Sequence, residues 1–255
     1  DPIVLIDADD EWLPTHLADI AELKSRFPEA GLLATGYEDV HAGYRLERSH
    51  AGDQTVMADW FKLAPQLHVV CSSTTAVRRR ALEKVGPMRD ERLGGLDIEY
   101  WARISIEWPF AFHPRVSARI HHDDELSASK TFGRKWLPGE VAVDTLVRMM
   151  ESGGVPDERR QIVADFIAKY QLDQIHHCLL AGEAERAQEI ADSPYLSGDR
   201  ASETRRLLSL GRVLPAKLFR LWHRYKHSRW GSDALCKDGF YVRRIESEHG
   251  TKENG

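Results

Sequence analysis

The sequence is short of the features that mark secreted, membrane-spanning and nucleic-acid-binding proteins. Its three cysteines, Cys71, Cys178 and Cys236, lie far apart and show neither a metal-binding spacing nor a disulfide framework, which favours a reducing compartment. No run of about 18 apolar residues occurs, so the sequence predicts no membrane-spanning helix. The formal net charge of −5 provides no basic footprint, and we therefore expect no nucleic-acid partner. These absences favour a cytoplasmic protein.

What remains is the composition of an ordinary globular protein. With 255 residues, 42% of them apolar and 29% charged, the chain has room for one large domain or two small ones. Apolar runs at 2–6 and 31–37 flank a helical pattern over 13–27, and this strand–helix–strand order indicates an α/β fold. Beyond about residue 130 the pattern changes to helices, with long ones expected over 136–150 and 157–180.

The first apolar run ends in a cluster of carboxylates. Residues 2–6 predict a strand buried on both faces, as in parallel sheets, and Asp7 and Asp9 follow it directly. Ligands of open α/β sheets bind outside the carboxyl ends of such strands. An Asp-x-Asp pair offers oxygen ligands to a hard divalent ion, which often takes one or two protein carboxylates plus substrate phosphate oxygens. Alternatively, these acids only turn the chain and cap the next helix.

Two further interpretations of the acidic stretch can be checked against the sequence. A calcium loop of the helix-loop-helix type needs glycine at its sixth position, where this chain has Trp12, so that interpretation fails. A Mg²⁺-dependent phosphatase of the haloacid-dehalogenase type would use Asp7 as its nucleophile. That type usually has Thr or Val where this chain has Glu11, and no later Gly-Asp-x-x-x-Asp follows. The phosphatase stays an alternative.

A second group of polar residues lies further along the chain. A small-polar, strand-like run contains Ser72 and Ser73, and a short helical segment follows it. Asp97 then opens another helix, which carries Trp101. Capping a helix is the ordinary role of an Asp in such a position. Catalysis by Asp97 therefore needs support from elsewhere.

The segment at 115–120 predicts a closing strand with a two-residue period. That period places Arg119 and His121 on one face of the strand and His122 on the other. We therefore expect Arg119 and His121 to share an environment from which His122 is excluded.

Several of these motifs together resemble a known family. Residues 6–17, Ile-Asp-Ala-Asp-Asp-Glu-Trp-Leu-Pro-x-x-Leu, resemble the metal-binding strand end of family-2 glycosyltransferases of the GT-A fold. Residues 71–104 resemble the acceptor half of that family, with a small-polar strand, a helix, a Val-Gly turn and an Asp that opens a Trp- and Arg-bearing helix. Residues 119–121 resemble its Arg-x-His pattern. The similarity spans roughly residues 2–129.

The resemblance implies an inverting transferase that moves a sugar from a nucleotide-diphosphate sugar to a hydroxyl of a glycan, lipid-linked or other acceptor. It implies Mn²⁺ or Mg²⁺ bound by Asp7 and Asp9 with His121, and Asp97 as the base that takes the hydroxyl proton. The substrate-binding residues that it implies are Asp10, Ser72, Ser73, Trp101 and Arg119. One departure is Leu96, where the family usually has Glu before the catalytic Asp.

The resemblance also predicts a domain organisation. We expect residues 1–129 to be the second half of a GT-A (Rossmann-like) α/β catalytic domain, followed by an all-α extension over 130–230 and a disordered tail over 231–255. Because the metal motif is reached by Asp7, the nucleotide-binding half is expected to be missing and the fragment to be inactive. A non-catalytic relative that acts as an assembly module is the remaining alternative.

One segment of the extension is strongly basic. Residues 211–230 contain six Lys or Arg and no acid, with leucines and aromatic residues among them. Such a helix suits the surface of an anionic membrane, so we expect peripheral contact with the inner face of a membrane. Packing of its apolar side on the protein is the alternative interpretation.

Overall fold

A computed structural model describes residues 2–67, 70–89, 95–122, 137, 139–213, 235–237 and 240–246. The described chain is a mixed α/β structure, which confirms the predicted class at that level. It divides into two compact units. The sheet unit comprises Asp1–Met88, Arg103–Gly133 and Ser232–Gly255, and the helical unit comprises Arg89–Ala102 and Arg134–Gly231.

The sheet unit is built on one nine-stranded sheet in the part of the chain that the structure describes. Its strands are β1 (Pro2–Val4), β2 (Glu11–Trp12), β3 (Leu32–His41), β4 (Tyr44–His50), β5 (Val56–Ala58), β6 (Thr75–Arg78), β7 (Phe110–His121), β8 (Leu235–Lys237) and β9 (Phe240–Glu246). Its helices are α1 (His16–Arg26), α2 (Trp60–Leu67) and α3 (Arg79–Val85), and α4 (Leu96–Glu107) begins in the helical unit and ends in the sheet unit.

Two long parallel strands, β3 and β7, form the centre of the sheet. One edge of β3 pairs antiparallel with β6 and then with β4, and the other edge of β7 pairs antiparallel with β5 and then with β2. Because β6 runs antiparallel to both β1 and β3, the strands β1, β3 and β7 all run in the same direction. Their carboxyl ends therefore point to the same side of the sheet.

The environment predicted for the first strand is wrong. Its three residues are half-buried rather than buried on both faces, and β1 pairs antiparallel with β6. The strand ends at Val4, and the side chain of Ile6 is 47% exposed because the chain leaves the sheet there. A continuous apolar run does not distinguish a central strand from a short one that is covered on one side.

Other local predictions hold in part. The helix predicted after Pro14 is confirmed as α1. The short helical segment predicted after the small-polar run is confirmed as α3, and Gly86 follows its last residue. The apolar spacing over 56–63 predicts one helix, but its first three residues form β5 and α2 begins at Trp60. The apolar stretches at 109–112 and 115–120 predict two closing strands, but they belong to one strand, β7, whose register against β3 shifts at Gly36.

The prediction of a disordered tail over 231–255 is wrong for two segments. The strands β8 and β9 form a hairpin, and β9 pairs antiparallel along the whole of β4. Phe240 is buried, with its ring 4.9 Å from that of Phe112. The aromatic and β-branched residues at 240–242 favour a strand, and the mainly polar composition around them obscured that signal. Residues 247–255 lie outside the described residues.

The helical unit contains α5 (Glu140–Glu151), α6 (Asp157–Ala181), α7 (Ala184–Ala191) and α8 (Ala201–Val213). Gly182, with φ of +86°, ends α6 in the left-handed conformation that favours glycine. The helical patterns over 157–180 and 183–192 predict an antiparallel pair around this glycine. The pair is confirmed, because α6 and α7 pack on a common core that contains Ile175 and Ala187. No helix within the described ranges is both long and apolar enough to cross a membrane. The basic segment lies outside the described residues beyond Val213.

Candidate functional site

The carboxylates singled out in the sequence lie in the loop between β1 and β2. We call residues 7–11 the acidic turn. Its backbone is closed by the amide of Asp10, which donates to the carbonyl oxygen of Asp7 at 3.2 Å. Asp7 and Asp9 are exposed, whereas Asp10 is half-buried. The two acids of the Asp-x-Asp pair therefore face solvent at the end of β1, where a ligand can reach them.

Ser73 holds this turn in place. Its side chain is fully buried, and its hydroxyl accepts a hydrogen bond from the amide of Asp7 at 2.9 Å and donates to Oδ2 of Asp10 at 2.5 Å. Its carbonyl oxygen also accepts from Nε1 of Trp12 at 2.7 Å. Ser73 was predicted to bind substrate, but here its hydroxyl is used to position the acidic turn.

Asp10 joins the acidic turn to the carboxyl end of β7. While its Oδ2 is bonded to Ser73, its Oδ1 accepts from the amide of His121 at 3.1 Å. Asp10, which was also predicted to bind substrate, thus uses both carboxylate oxygens inside the protein. The result is an acidic turn fixed at the side of the sheet where β1, β3 and β7 end.

Arg119 and His121, the two basic residues predicted at the site, both contact Glu11. Arg119 places Nη1 3.4 Å from Oε2 of Glu11 and Nε 3.3 Å from Oε2 of Glu38. His121 has its Nε2 3.7 Å from the same oxygen of Glu11. Sequence reasoning missed Glu38, because nothing in β3 marks it until the pairing with β7 places it beside Arg119.

The predicted alternation along β7 is confirmed. Ser117, two residues before Arg119, hydrogen bonds to Nδ1 of His16 at 2.9 Å. His122 instead places its Nε2 2.8 Å from Oδ1 of Asp39, on the opposite face of β3 from Glu38. A strand with a period of two separates neighbouring side chains in this way. His122 is therefore not part of the environment of the acidic turn.

The residues predicted to bind a metal are not gathered into a complete ligand set. Among the residues that the structure describes, no three His, Cys, Asp or Glu side chains lie close enough to hold a metal ion. His121 lies against Glu11, whereas Asp7 and Asp9 lie at the exposed end of the turn. Two carboxylates fit a Mg²⁺-type ion that completes its shell with water and phosphate oxygens.

His16 is a buried polar residue at the base of the turn that the sequence reasoning missed. It stacks on Trp12 with ring centroids 4.7 Å apart. The hydroxyl of Ser117, which is hydrogen bonded to Nδ1 of His16, donates to the hydroxyl of Thr35 at 2.8 Å. Burial lowers the pKa of His16 to about 4, so the imidazole is neutral near pH 7. A histidine in the first turn of an amphipathic helix carries no sequence signal that distinguishes this role.

Asp97, the predicted base, lies in the helical unit as the second residue of α4. Its Oδ1 accepts from the amide of Ile98 at 2.8 Å, and burial raises the pKa of the carboxyl group. Burial also raises the pKa of Tyr170 in α6, with the negative charge of Asp97 as the next cause. Tyr170 is thus an electrostatic neighbour of Asp97, and no sequence pattern connects the two residues. A carboxylate with a raised pKa is a stronger proton acceptor.

The two remaining predicted substrate residues differ in access. Trp101 is only 1% exposed, and its Nε1 finds no hydrogen-bond partner among the described residues. This placement favours a core role over a substrate contact. Ser72 is half-buried at the start of a 3₁₀ turn, Ser72–Thr74, and it can be reached from solvent.

Comparison with known proteins does not assign the chain to a family. No protein-family model matches it, and no curated protein matches it. At the level of fold it is a mixed α/β protein with a helical unit. Function must therefore be inferred from the acidic turn and from Asp97.

Proposed function

We propose that this protein acts in glycosyl transfer of the GT-A type, from a nucleotide-diphosphate sugar to an acceptor hydroxyl with inversion at the anomeric carbon. The observation that carries the proposal is the acidic turn. Ser73 and Asp10 hold it at the carboxyl side of β1, β3 and β7, while Asp7 and Asp9 stay exposed. Ligands of α/β sheets bind at such a place.

The role of the exposed pair follows from the charge of the donor. Asp7 and Asp9 would hold Mn²⁺ or Mg²⁺, and a divalent ion supplies neutralisation of the charge that builds on a leaving diphosphate. The hydrogen bonds of Ser73 and Asp10 fix the turn beside this position. Glu11 holds Arg119 and His121 on the neighbouring face of β7, next to the diphosphate in this proposal.

The acceptor hydroxyl requires a base. In the proposed step the hydroxyl oxygen attacks the anomeric carbon, the bond from that carbon to the diphosphate oxygen breaks, and Asp97 takes the hydroxyl proton. Burial raises the pKa of Asp97, and a carboxylate with a raised pKa is a stronger proton acceptor. In this proposal the sheet unit belongs to a GT-A catalytic domain.

Metal binding offers a test of the acidic turn. The free Mn²⁺ signal in electron paramagnetic resonance should fall when protein is added, and fall further with uridine or guanosine diphosphate present. Asp9→Asn should weaken both effects, because each depends on the carboxylate. Asp53→Asn, which removes an exposed acid elsewhere in the sheet unit, is the matched control.

The same experiment can also contradict the proposal. Mn²⁺ binding that is absent, or that is equal in the Asp9→Asn and Asp53→Asn proteins, would remove the basis of the proposal. Release of phosphate from a phosphate monoester, with a phospho-enzyme formed on Asp7, would favour the phosphatase alternative instead.

A further inference from the structure

A cavity of about 720 Å³ lies in the sheet unit, away from the acidic turn. The end of β4, the middle of β7 and the strand β9 line it, and its polar residues include His50, His113, Arg115 and Arg243. Arg115 is six positions before His121 along β7, or about 20 Å at the rise of a strand. The cavity is therefore separate from the proposed donor site.

The two histidines have defined tautomers. Nδ1 of His50 accepts from the amide of Gly52 at 3.0 Å, and Nδ1 of His113 accepts from the amide of Arg115 at 3.1 Å. A neutral imidazole that accepts at Nδ1 carries its hydrogen on Nε2. Both rings therefore carry an N–H donor on Nε2, and that of His113 lies 3.6 Å from Oδ1 of Asp19 and 3.5 Å from Oε2 of Glu22. For His50 this donor has no hydrogen-bond partner among the described residues.

The two arginines are held in place and still have donors to offer. Arg115 donates from Nη1 to Oδ1 of the buried Asp19 at 2.6 Å, and Arg243 donates from Nη2 to Oε1 of Glu47 at 2.7 Å. A guanidinium has five N–H donors, so each of these contacts leaves most of them available. The side chains are 54% and 58% exposed, respectively. The carboxylates fix the direction of each guanidinium group and lower the cost of ordering it on binding.

The side chains of the cavity are thus rich in donors and poor in acceptors. Among the described residues that line it, Asp53 is the only one with a carboxylate. From this imbalance we propose that the cavity binds a phosphate-type oxyanion, with Arg115, Arg243 and His50 as its donors. Guanidinium groups suit phosphate because two parallel N–H groups match two of its oxygens. The volume lies within the range of roughly 300–1,000 Å³ usual for small-molecule sites, so the phosphate can belong to a small organic molecule.

Binding here needs neither metal nor the carboxylates of the acidic turn. The proposal is therefore independent of the proposed glycosyl transfer, and either can fail without the other. Asp19 and Glu47 offset part of the positive charge, so we expect a dissociation constant in the micromolar to millimolar range.

Calorimetric titration of the whole protein with inorganic phosphate, in EDTA and at constant ionic strength, tests the proposal. Arg243→Gln should weaken binding at least about tenfold, since it removes charge-assisted hydrogen bonds. Arg45→Gln is the matched control, because Arg45 is ion-paired with Glu38 in the same sheet and does not line the cavity. Glycerol phosphate in place of inorganic phosphate shows whether the site takes a free or an esterified anion.

Three results would overturn the proposal. They are no saturable binding at millimolar phosphate, equal affinity in the Arg243→Gln and Arg45→Gln proteins, and equal affinity for acetate and phosphate. Arg115→Gln leaves the buried Asp19 without its strongest partner and can unfold the sheet unit, so Arg243 is the decisive position. Circular dichroism of each variant verifies that it is folded.

Discussion

The hydroxyl of Ser73 donates to the carboxylate of Asp10 at 2.5 Å, across 63 positions of the chain. This bond ties the turn before β6 to the acidic turn, and the second carboxylate oxygen of Asp10 ties the acidic turn to the amide of His121. Three distant segments therefore meet at one carboxylate. Asp7 and Asp9, in the same turn, lie exposed.

Ser73→Ala should destabilise the protein by about 1–3 kcal/mol, because Oδ2 of Asp10 and the amide of Asp7 both lose the hydroxyl that they contact. Urea unfolding monitored by tryptophan fluorescence measures the change. Ser72→Ala is the matched control, since its half-buried hydroxyl makes no hydrogen bond among the described residues. Its effect should be about 0.5 kcal/mol or less. Equal losses in the two variants would contradict the role given to Ser73.

The free energy of unfolding should fall as the pH is lowered, because His16 becomes protonated more readily in the unfolded protein. Burial lowers its pKa from 6.5 to about 4, so the folded protein favours the neutral ring. The stabilisation is fully present above pH 6.5 and is lost as the pH falls towards 4, by about 3 kcal/mol in all. Urea unfolding at a series of pH values between 7 and 4 measures this slope.

The same pH series with two variants shows whether His16 causes the slope. His16→Gln should be less stable at pH 7 but depend less on pH, because the group that titrates is gone. His177→Gln, which removes an exposed histidine of α6, should keep the full dependence. A His16→Gln protein with an unchanged slope would show that other groups cause it.

Gly36→Ala should destabilise the sheet at the point where β7 shifts register. A Cβ there would lie 3.0 Å from the carbonyl oxygen of Pro114 and 3.0 Å from Oγ of Ser49, which donates to that same oxygen. Because backbone must move, the expected cost is about 1–3 kcal/mol. Gly154→Ala is the control, since its nearest new contact is 3.4 Å. Thermal unfolding of both variants compares them, and similar melting temperatures would contradict the expectation.

Local patterns in the sequence predicted the local parts of the fold. The two-residue period that separates Arg119 from His122 depends only on strand geometry, and β7 follows it. The helix α6 and its end at Gly182 follow from apolar spacing and from the conformational freedom of glycine. These features need no knowledge of which segments meet.

Features that depend on distant partners could not be predicted in this way. The strand β9 is recognised only once it pairs with β4, as in the ion pair between Arg243 and Glu47, 196 positions apart. The internal use of Ser73 and the burial of Trp101 likewise depend on tertiary packing rather than on motif. A motif indicates which residue types are present, and it does not show which of their atoms are already bonded.

The separation of two carboxylate roles is the most direct test of the proposed function. Turnover of the complete enzyme would be measured as release of nucleoside diphosphate from a panel of nucleotide-diphosphate sugars, with acceptor and Mn²⁺ present. Asp97→Asn should lower turnover by about 10²–10⁴-fold and leave Mn²⁺ and donor binding close to those of the unmodified protein, because it removes only the base. Asp9→Asn should weaken Mn²⁺ and donor binding together.

Asn is the informative replacement for Asp97, because it keeps an acceptor for the amide of Ile98 and is itself a good residue at a helix N-terminus. Loss of turnover in Asp97→Asn with intact donor and Mn²⁺ binding is the result that the proposal predicts. Turnover by Asp97→Asn equal to that of the unmodified protein would contradict it.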